Sequence, residues 1–111
     1  MIRLTVLYNL PPETDEEEFL AWRLGEHQES NMSMPGVIAS SFYRIYGTWT
    51  GDPPPYRFMT TVDWPDRESF GRGFFDPHVQ AKLRDDVQRI RDAVFLISEE
   101  LARGSVSESR E

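Results

Sequence analysis

The sequence contains no cysteine, which excludes disulfides, thiolate nucleophiles and thiolate metal sites together and fits a reducing compartment. Basic residues are also scarce, with 12 Lys and Arg against 19 Asp and Glu in 111 residues. The formal charge of -7, with the bases interleaved among acids, excludes a basic stripe for a phosphate backbone, so no nucleic-acid partner is expected. No apolar run approaches the roughly 20 residues of a membrane-crossing helix, and no membrane partner is expected. The opening MIRLTVLYNLPP meets prolines and acids after a short apolar stretch, so it reads as a strand rather than a secretory leader. The expected location is cytoplasmic, and the Asn31-Met32-Ser33 sequon is read as a chance match. Glycine-rich phosphate loops, GxSxG elbows and CxxC pairs are absent, which argues against nucleotide and hydrolase chemistry. The only histidines, His27 and His78, lack the i, i+4 spacing of a metal pair. No metal and no other cofactor is expected.

What is present fits one domain over residues 1–103, followed by a polar tail, 104–111, expected to be disordered. Ile2, Leu4, Val6 and Tyr8 alternate with more polar residues, the period of a strand with one buried face. Leu10-Pro11-Pro12 ends it. Thr14 and Glu17 then read as a capping box that opens a helix running to about Ser30. Along that helix Phe19, Leu20, Arg23, Leu24 and His27 recur at spacings of three and four, which places His27 on or beside the face that Phe19 and Leu24 turn to a sheet. Met34-Pro35-Gly36 marks a turn and Val37 to Tyr46 a second strand. Thr48 to Pro55, with three consecutive prolines, can only be a loop. Tyr56, Phe58, Thr60, Val62 and Trp64 share the aromatic-rich phase of a third strand. Asp66 caps a helix that Gly71 and Gly73 are expected to make irregular, and Asp76-Pro77 restarts it with a stripe of Val79, Leu83, Val87 and Ile90. Ala93 to Leu101 is the fourth strand.

The order β-α-β-β-α-β predicts an α+β, ferredoxin-like fold, a four-stranded antiparallel sheet with helices on one face and the other face bare. The second and third strands carry apolar residues in both phases, Met59 beside Phe58 and Tyr43 beside Phe42, more than one buried face requires. A second copy of the chain is expected to cover the remainder.

Phe19, Trp22, His27 and Pro35-Gly36-Val37, followed by Phe42-Tyr43-Arg44, together with the Trp64 to Gln80 stretch, resemble EthD-like members of the dimeric α/β-barrel superfamily. The resemblance extends over Ile2 to Leu101. It implies a homodimer with a small-molecule pocket between sheet and helices in each subunit, in a superfamily that includes cofactor-independent monooxygenases, polyketide cyclases, muconolactone isomerase and haem-degrading enzymes. Asn9 and Trp64 resemble two residues of the haem-degrading members, but the position of their haem-ligating histidine falls on Lys82 or a neighbour, with His78 about one turn too early.

His27 is the neutral-pH acid/base candidate, since an imidazole near a buried face suits proton transfer to or from a phenol or enol; the alternative is a half-buried ring bonded to backbone, Glu26 or Glu29. Tyr8 and Tyr43 can orient a substrate oxygen, and Trp22, Phe58 and Trp64 can line an aromatic pocket, with plain core the alternative for Phe58 in particular. Arg23 either meets an anionic substrate or pairs with Glu26, Asp15 or Glu16. His78 is read as a surface residue. The expected function is binding of a small, largely apolar aromatic or polyketide-like molecule, with cofactor-free isomerase, cyclase or monooxygenase chemistry at His27. The alternative is a non-catalytic dimeric metabolite-binding or oxygenase-accessory protein.

Overall fold

In the computed structural model, which describes residues 1–106, the chain runs β1 (Ile2–Asn9), α1 (Glu16–Trp22), a π-helical turn (Arg23–His27), α2 (Gln28–Met32), β2 (Ala39–Arg44), β3 (Phe58–Trp64), α3 (Arg67–Phe74), α4 (Pro77–Asp86), a 3-10 turn (Val87–Arg89) and β4 (Arg91–Glu99). The strands form one antiparallel sheet in the order β2-β3-β1-β4. This is the α+β, ferredoxin-like arrangement expected from the strand and helix order. Of the tail, Gly104 to Val106 are exposed and outside any helix or strand, and the remainder of 104–111 lies outside the described residues.

Register fixes which residues share the helix-covered face. Val6 stands opposite Thr60 in β3 and Phe95 in β4, and Phe42 of β2 also meets Thr60. One row further along, Leu4 meets Val62. These positions and Ile2, Tyr8, Phe58 and Trp64 make the sheet side of the core, against Phe19 of α1 and Phe70 and Phe74 of α3. The other face carries Arg3, Thr5 and Leu7 of β1 with Asp63, Thr61 and Met59 opposite, and no helix among the described residues packs there.

Several local expectations are corrected. Asp15, not Thr14, caps α1, accepting from the amides of Glu17 and Glu18; it stands one residue nearer the acidic first turn, where a carboxylate also meets the positive end of the helix. Leu24, expected on the buried face, is 63 % exposed because Arg23 takes the inward position. Gly73 does not loosen α3. The helix is continuous from Arg67 to Phe74, and the missing side chain lets it approach the turn before β2: a Cβ at Gly73 would overlap the Pro35 carbonyl and lie 2.6 Å from Trp64 Nε1. Asp66 and Asp76 cap α3 and α4 as read, with Pro77 at the first turn. Gly36, at φ +80, supplies the left-handed residue that turns the chain into β2.

Candidate functional site

Helices and sheet do not close completely. Between them lies a cavity of about 330 Å³, walled on the sheet side by Leu4, Val6, Tyr8, Thr60 and Val62 and on the helix side by Phe19, Trp22, Arg23 and His27. Leu83, Asp86 and Val87 complete it from the end of α4. The wall is largely apolar; the cluster of Tyr8, Arg23, His27, Thr60 and Asp86 is among its polar side chains, and Ser30, Asn31, Ser33, Asp76, His78 and Lys82 also border it, the composition of a site that holds an apolar body and orients it by polar contacts.

The π-helical turn brings that cluster together. Widening one turn moves side-chain neighbours from i, i+4 toward i, i+5, and Arg23 Nη1 accordingly donates to Gln28 Oε1 at 2.7 Å. Gln28 Nε2 in turn donates to the Ser40 carbonyl of β2 at 3.1 Å, tying the turn to the sheet. Arg23 Nη2 donates to Thr60 Oγ1 at 3.1 Å, and that hydroxyl lies 2.9 Å from Tyr8 Oη. The guanidinium stands 4.3 Å over the Phe42 ring and is buried. Burial pushes it down from the ordinary arginine range.

His27 stacks on Trp22 with ring centroids 4.4 Å apart, and the Arg89 guanidinium stands 4.3 Å from the same indole. His27 Nδ1 approaches Asp86 Oδ2 to 3.2 Å, but outside hydrogen-bond geometry, so the buried nitrogen has no hydrogen-bond partner. Burial pushes the imidazole down to about 4, and the positive charges of Arg23, Lys82 and Arg89 push the same way. Asp86 pulls in the opposite sense, but burial raises its own carboxyl and Lys82 Nζ shares it at 3.5 Å. At neutral pH the ring is therefore uncharged, its imidazole on the cavity wall and its Nδ1 buried beside Asp86.

Of the residues singled out in the sequence, Tyr8, Trp22, Arg23 and His27 line the cavity. Tyr43, Phe58 and Trp64 do not. Tyr43 pairs with Met59 on the helix-free face and is exposed; β2 enters the sheet in the register that sends Phe42 inward instead. Phe58 is fully buried, packed on Phe19 and Phe42. Trp64 is also fully buried, edge-on to Phe70, and its indole N–H donates to the Pro35 carbonyl at 2.9 Å. Arg23 meets none of Glu26, Asp15 or Glu16: Asp15 caps α1 and Glu16 contacts Arg44 and Arg57. His78 is exposed at the start of α4, on the cavity rim.

The haem-like pair does not fit haem. Asn9 donates to the Pro55 carbonyl and to Asp92 and accepts from the Arg57 amide, away from the cavity, Trp64 has spent its N–H on Pro35, and Lys82 stands where the resemblance implies the ligand. Among the described residues no cluster of three or more His, Asp or Glu is placed to hold a metal ion.

Thr60, Gln28 and Asp86 were not singled out. Thr60 carried a signal, a hydroxyl in an otherwise apolar strand phase, and so did Asp86, three residues after Leu83 on the apolar stripe of α4. Gln28 carried none, because its contact with Arg23 depends on the widened turn.

Comparison with known proteins places this geometry. The family model described as REDY-like protein HapK matches residues 2–101. HapK from Hahella chejuensis shares 18 % identity with a TM-score of 0.71, covering 96 % of this chain and 99 % of that one. An ethyl tert-butyl ether d (EthD) family protein from Bacillus halodurans shares 22 % identity with a TM-score of 0.75, covering 91 % of this chain and 99 % of that one. A mutant of SnoaB, a cofactor-independent oxygenase from Streptomyces nogalater, shares 12 % identity with a TM-score of 0.67, covering 96 % and 97 %. Among proteins with a curated description none matches the chain in sequence. The EthD-like resemblance read from the sequence agrees with these matches in fold.

Proposed function

Because this chain belongs to the family of REDY-like protein HapK, we propose that it binds a small, largely apolar aromatic or polyketide-like molecule between sheet and helices, and acts on it without a cofactor. The observation that carries this reading is the cavity itself: a largely apolar space of about 330 Å³ whose wall includes the His27 imidazole and Tyr8, the latter with its hydroxyl paired to Thr60. In this reading the His27 imidazole removes a proton next to a carbonyl or from a phenol, Tyr8 Oη holds the oxygen on which negative charge develops, and Trp22 fixes the imidazole by stacking on it. Isomerisation, cyclisation and oxygenation by molecular oxygen share that first step. A SnoaB-like oxygenase on the same fold supports the cofactor-free class.

One observation favours the second reading, a non-catalytic dimeric metabolite-binding or oxygenase-accessory protein. An imidazole held down to about 4 is a weak base at neutral pH. The two readings separate at His27→Gln, which keeps size and a hydrogen-bond acceptor. With the fold intact by circular dichroism, loss of turnover by roughly a hundredfold at unchanged ligand affinity supports catalysis; unchanged turnover removes His27 from the mechanism. The proposal includes a homodimer, a cytoplasmic location and no nucleic-acid partner. No helix among the described residues is long and apolar enough to cross a membrane.

A further inference from the structure

Arg23 has an environment that no other cation in the described structure shares. It is 1 % exposed, yet no carboxylate among the described residues lies within ion-pair distance of it, and its Nε has no hydrogen-bond partner. Arg3, on the opposite face of the sheet, shows the usual solution, with Asp63 at 2.7 Å. A buried charge without a counterion costs free energy that two neutral hydrogen bonds and an aromatic face only partly offset. The acids around the cavity have other partners: Asp76 Oδ1 caps α4, and Asp86 pairs with Lys82. The remaining charged or titratable groups there are Lys82, which pairs with Asp86, and the exposed His78, so Arg23 is the cation of the wall that no carboxylate among the described residues meets.

The charge of Arg23 is connected to the cavity. A guanidinium can only donate, so Thr60 Oγ1 accepts from Arg23 and has its own proton to give. When that proton goes to Tyr8 Oη, 2.9 Å away, the phenol O–H is free to donate into the cavity, polarised by the cation behind it.

We propose that the ligand presents an oxyanion to Tyr8, at the end of an Arg23–Thr60–Tyr8 relay, and is therefore either a carboxylate or a phenol or enol that ionises in place. The inference rests on the reading of the cavity as a ligand site and adds the charge of the ligand. In the ionising case the O–H or adjacent C–H bond breaks, the proton passes to the His27 imidazole, and the negative charge is left on the ligand oxygen, as phenolate or enolate. Arg23 acts through Thr60, as a positioning residue.

The test uses the full chain and two matched pairs of probes, 4-nitrophenol with its methyl ether 4-nitroanisole, and 4-nitrobenzoate with 4-nitrobenzamide, measured by absorbance titration and calorimetry. The expected result is a preference of about tenfold for the anionic member of at least one pair, which for bound 4-nitrophenol appears as ionisation about one pH unit below the free phenol. In Arg23→Met, an unbranched apolar replacement, the preference disappears while the neutral probe still binds. Thr60→Val, which cuts the relay with little change of shape, gives the same loss and serves if the first variant does not fold. Preference for 4-nitrobenzoate alone assigns a fixed carboxylate; ionisation of 4-nitrophenol alone assigns a reaction oxyanion; both support the proposal. Equal binding of charged and neutral probes overturns it and leaves the ligand site standing. A preference that survives in both variants overturns the relay. Failure of all four probes to bind overturns the reading of the cavity itself.

Discussion

At the scale of single residues, His27 makes a prediction independent of any ligand. Its ring is held down to about 4, against roughly 6.5 in an unfolded chain. The unfolded state therefore binds more protons between those values, and stability is fully present above about pH 6.5 and falls as the pH drops toward 4. Asp86, pushed up by burial, works in the opposite direction, since its contribution is present at low pH and fades as the pH rises through its folded value. Urea midpoints should drop between pH 7 and pH 5 by the equivalent of about 1–2 kcal/mol, and His27→Gln should flatten that dependence. An unchanged slope in the variant would show that the ring is not held neutral. The residue scale is also where sequence reading was most uneven. Periodicity assigned Tyr8 and Phe58 the same strand phase, and they do share a face. It could not say that Phe58 lies beneath Phe19 and Phe42 while Tyr8 reaches the cavity, because depth below a face depends on what packs over it.

At the scale of elements, the signals that were legible are those that act within a few residues. Asp66 and Asp76-Pro77 mark helix starts because a carboxylate satisfying free amides and a proline with fixed φ act locally. The π-helical turn was not legible, because nothing within Arg23–His27 demands it; the turn widens so that Arg23 can enter the sheet side and bond Thr60. The glycines of α3 were misread for the same reason. Their local effect is to weaken a helix, whereas Gly73 serves a contact with Pro35 and Trp64, brought in from distant parts of the chain. The two glycines give a paired test. At Gly71 an added Cβ meets nothing within 4 Å, so Gly71→Ala should raise stability by about 0.5–1 kcal/mol through helix propensity. Gly73→Ala should lower it by about 1–3 kcal/mol, the usual cost of overpacking. Denaturant titrations of both variants check the pair, and equal effects would contradict the close approach of α3 to the turn before β2.

At the scale of the whole molecule, the sheet exposes more apolar surface than one chain covers. In β4, Leu96 is 50 % and Ile97 55 % exposed, and Tyr46 and Trp49 project fully from the loop between β2 and β3. Leu96 stands opposite Thr5 and Val94 opposite Leu7 on the helix-free face, where Met59 and Tyr43 continue the row across the sheet. A second sheet packed over that face would bury this row, and a stable association needs roughly 800 Å² from each partner. The Arg3–Asp63 pair on the same face is bidentate, at 2.7 and 3.0 Å, so each charge keeps its partner when water is excluded. Sedimentation equilibrium at micromolar concentration should therefore give twice the 12.9 kDa chain mass, and Leu96→Glu should shift it to monomer. A monomeric wild-type protein would leave the exposed row without a partner and sink the dimer. The cavity lies on the other face of the sheet, with all the wall residues named above supplied by one chain. A Leu96→Glu monomer that stays folded should consequently keep its affinity for the anionic probes, whereas loss of binding on dissociation would mean that the second chain completes the site.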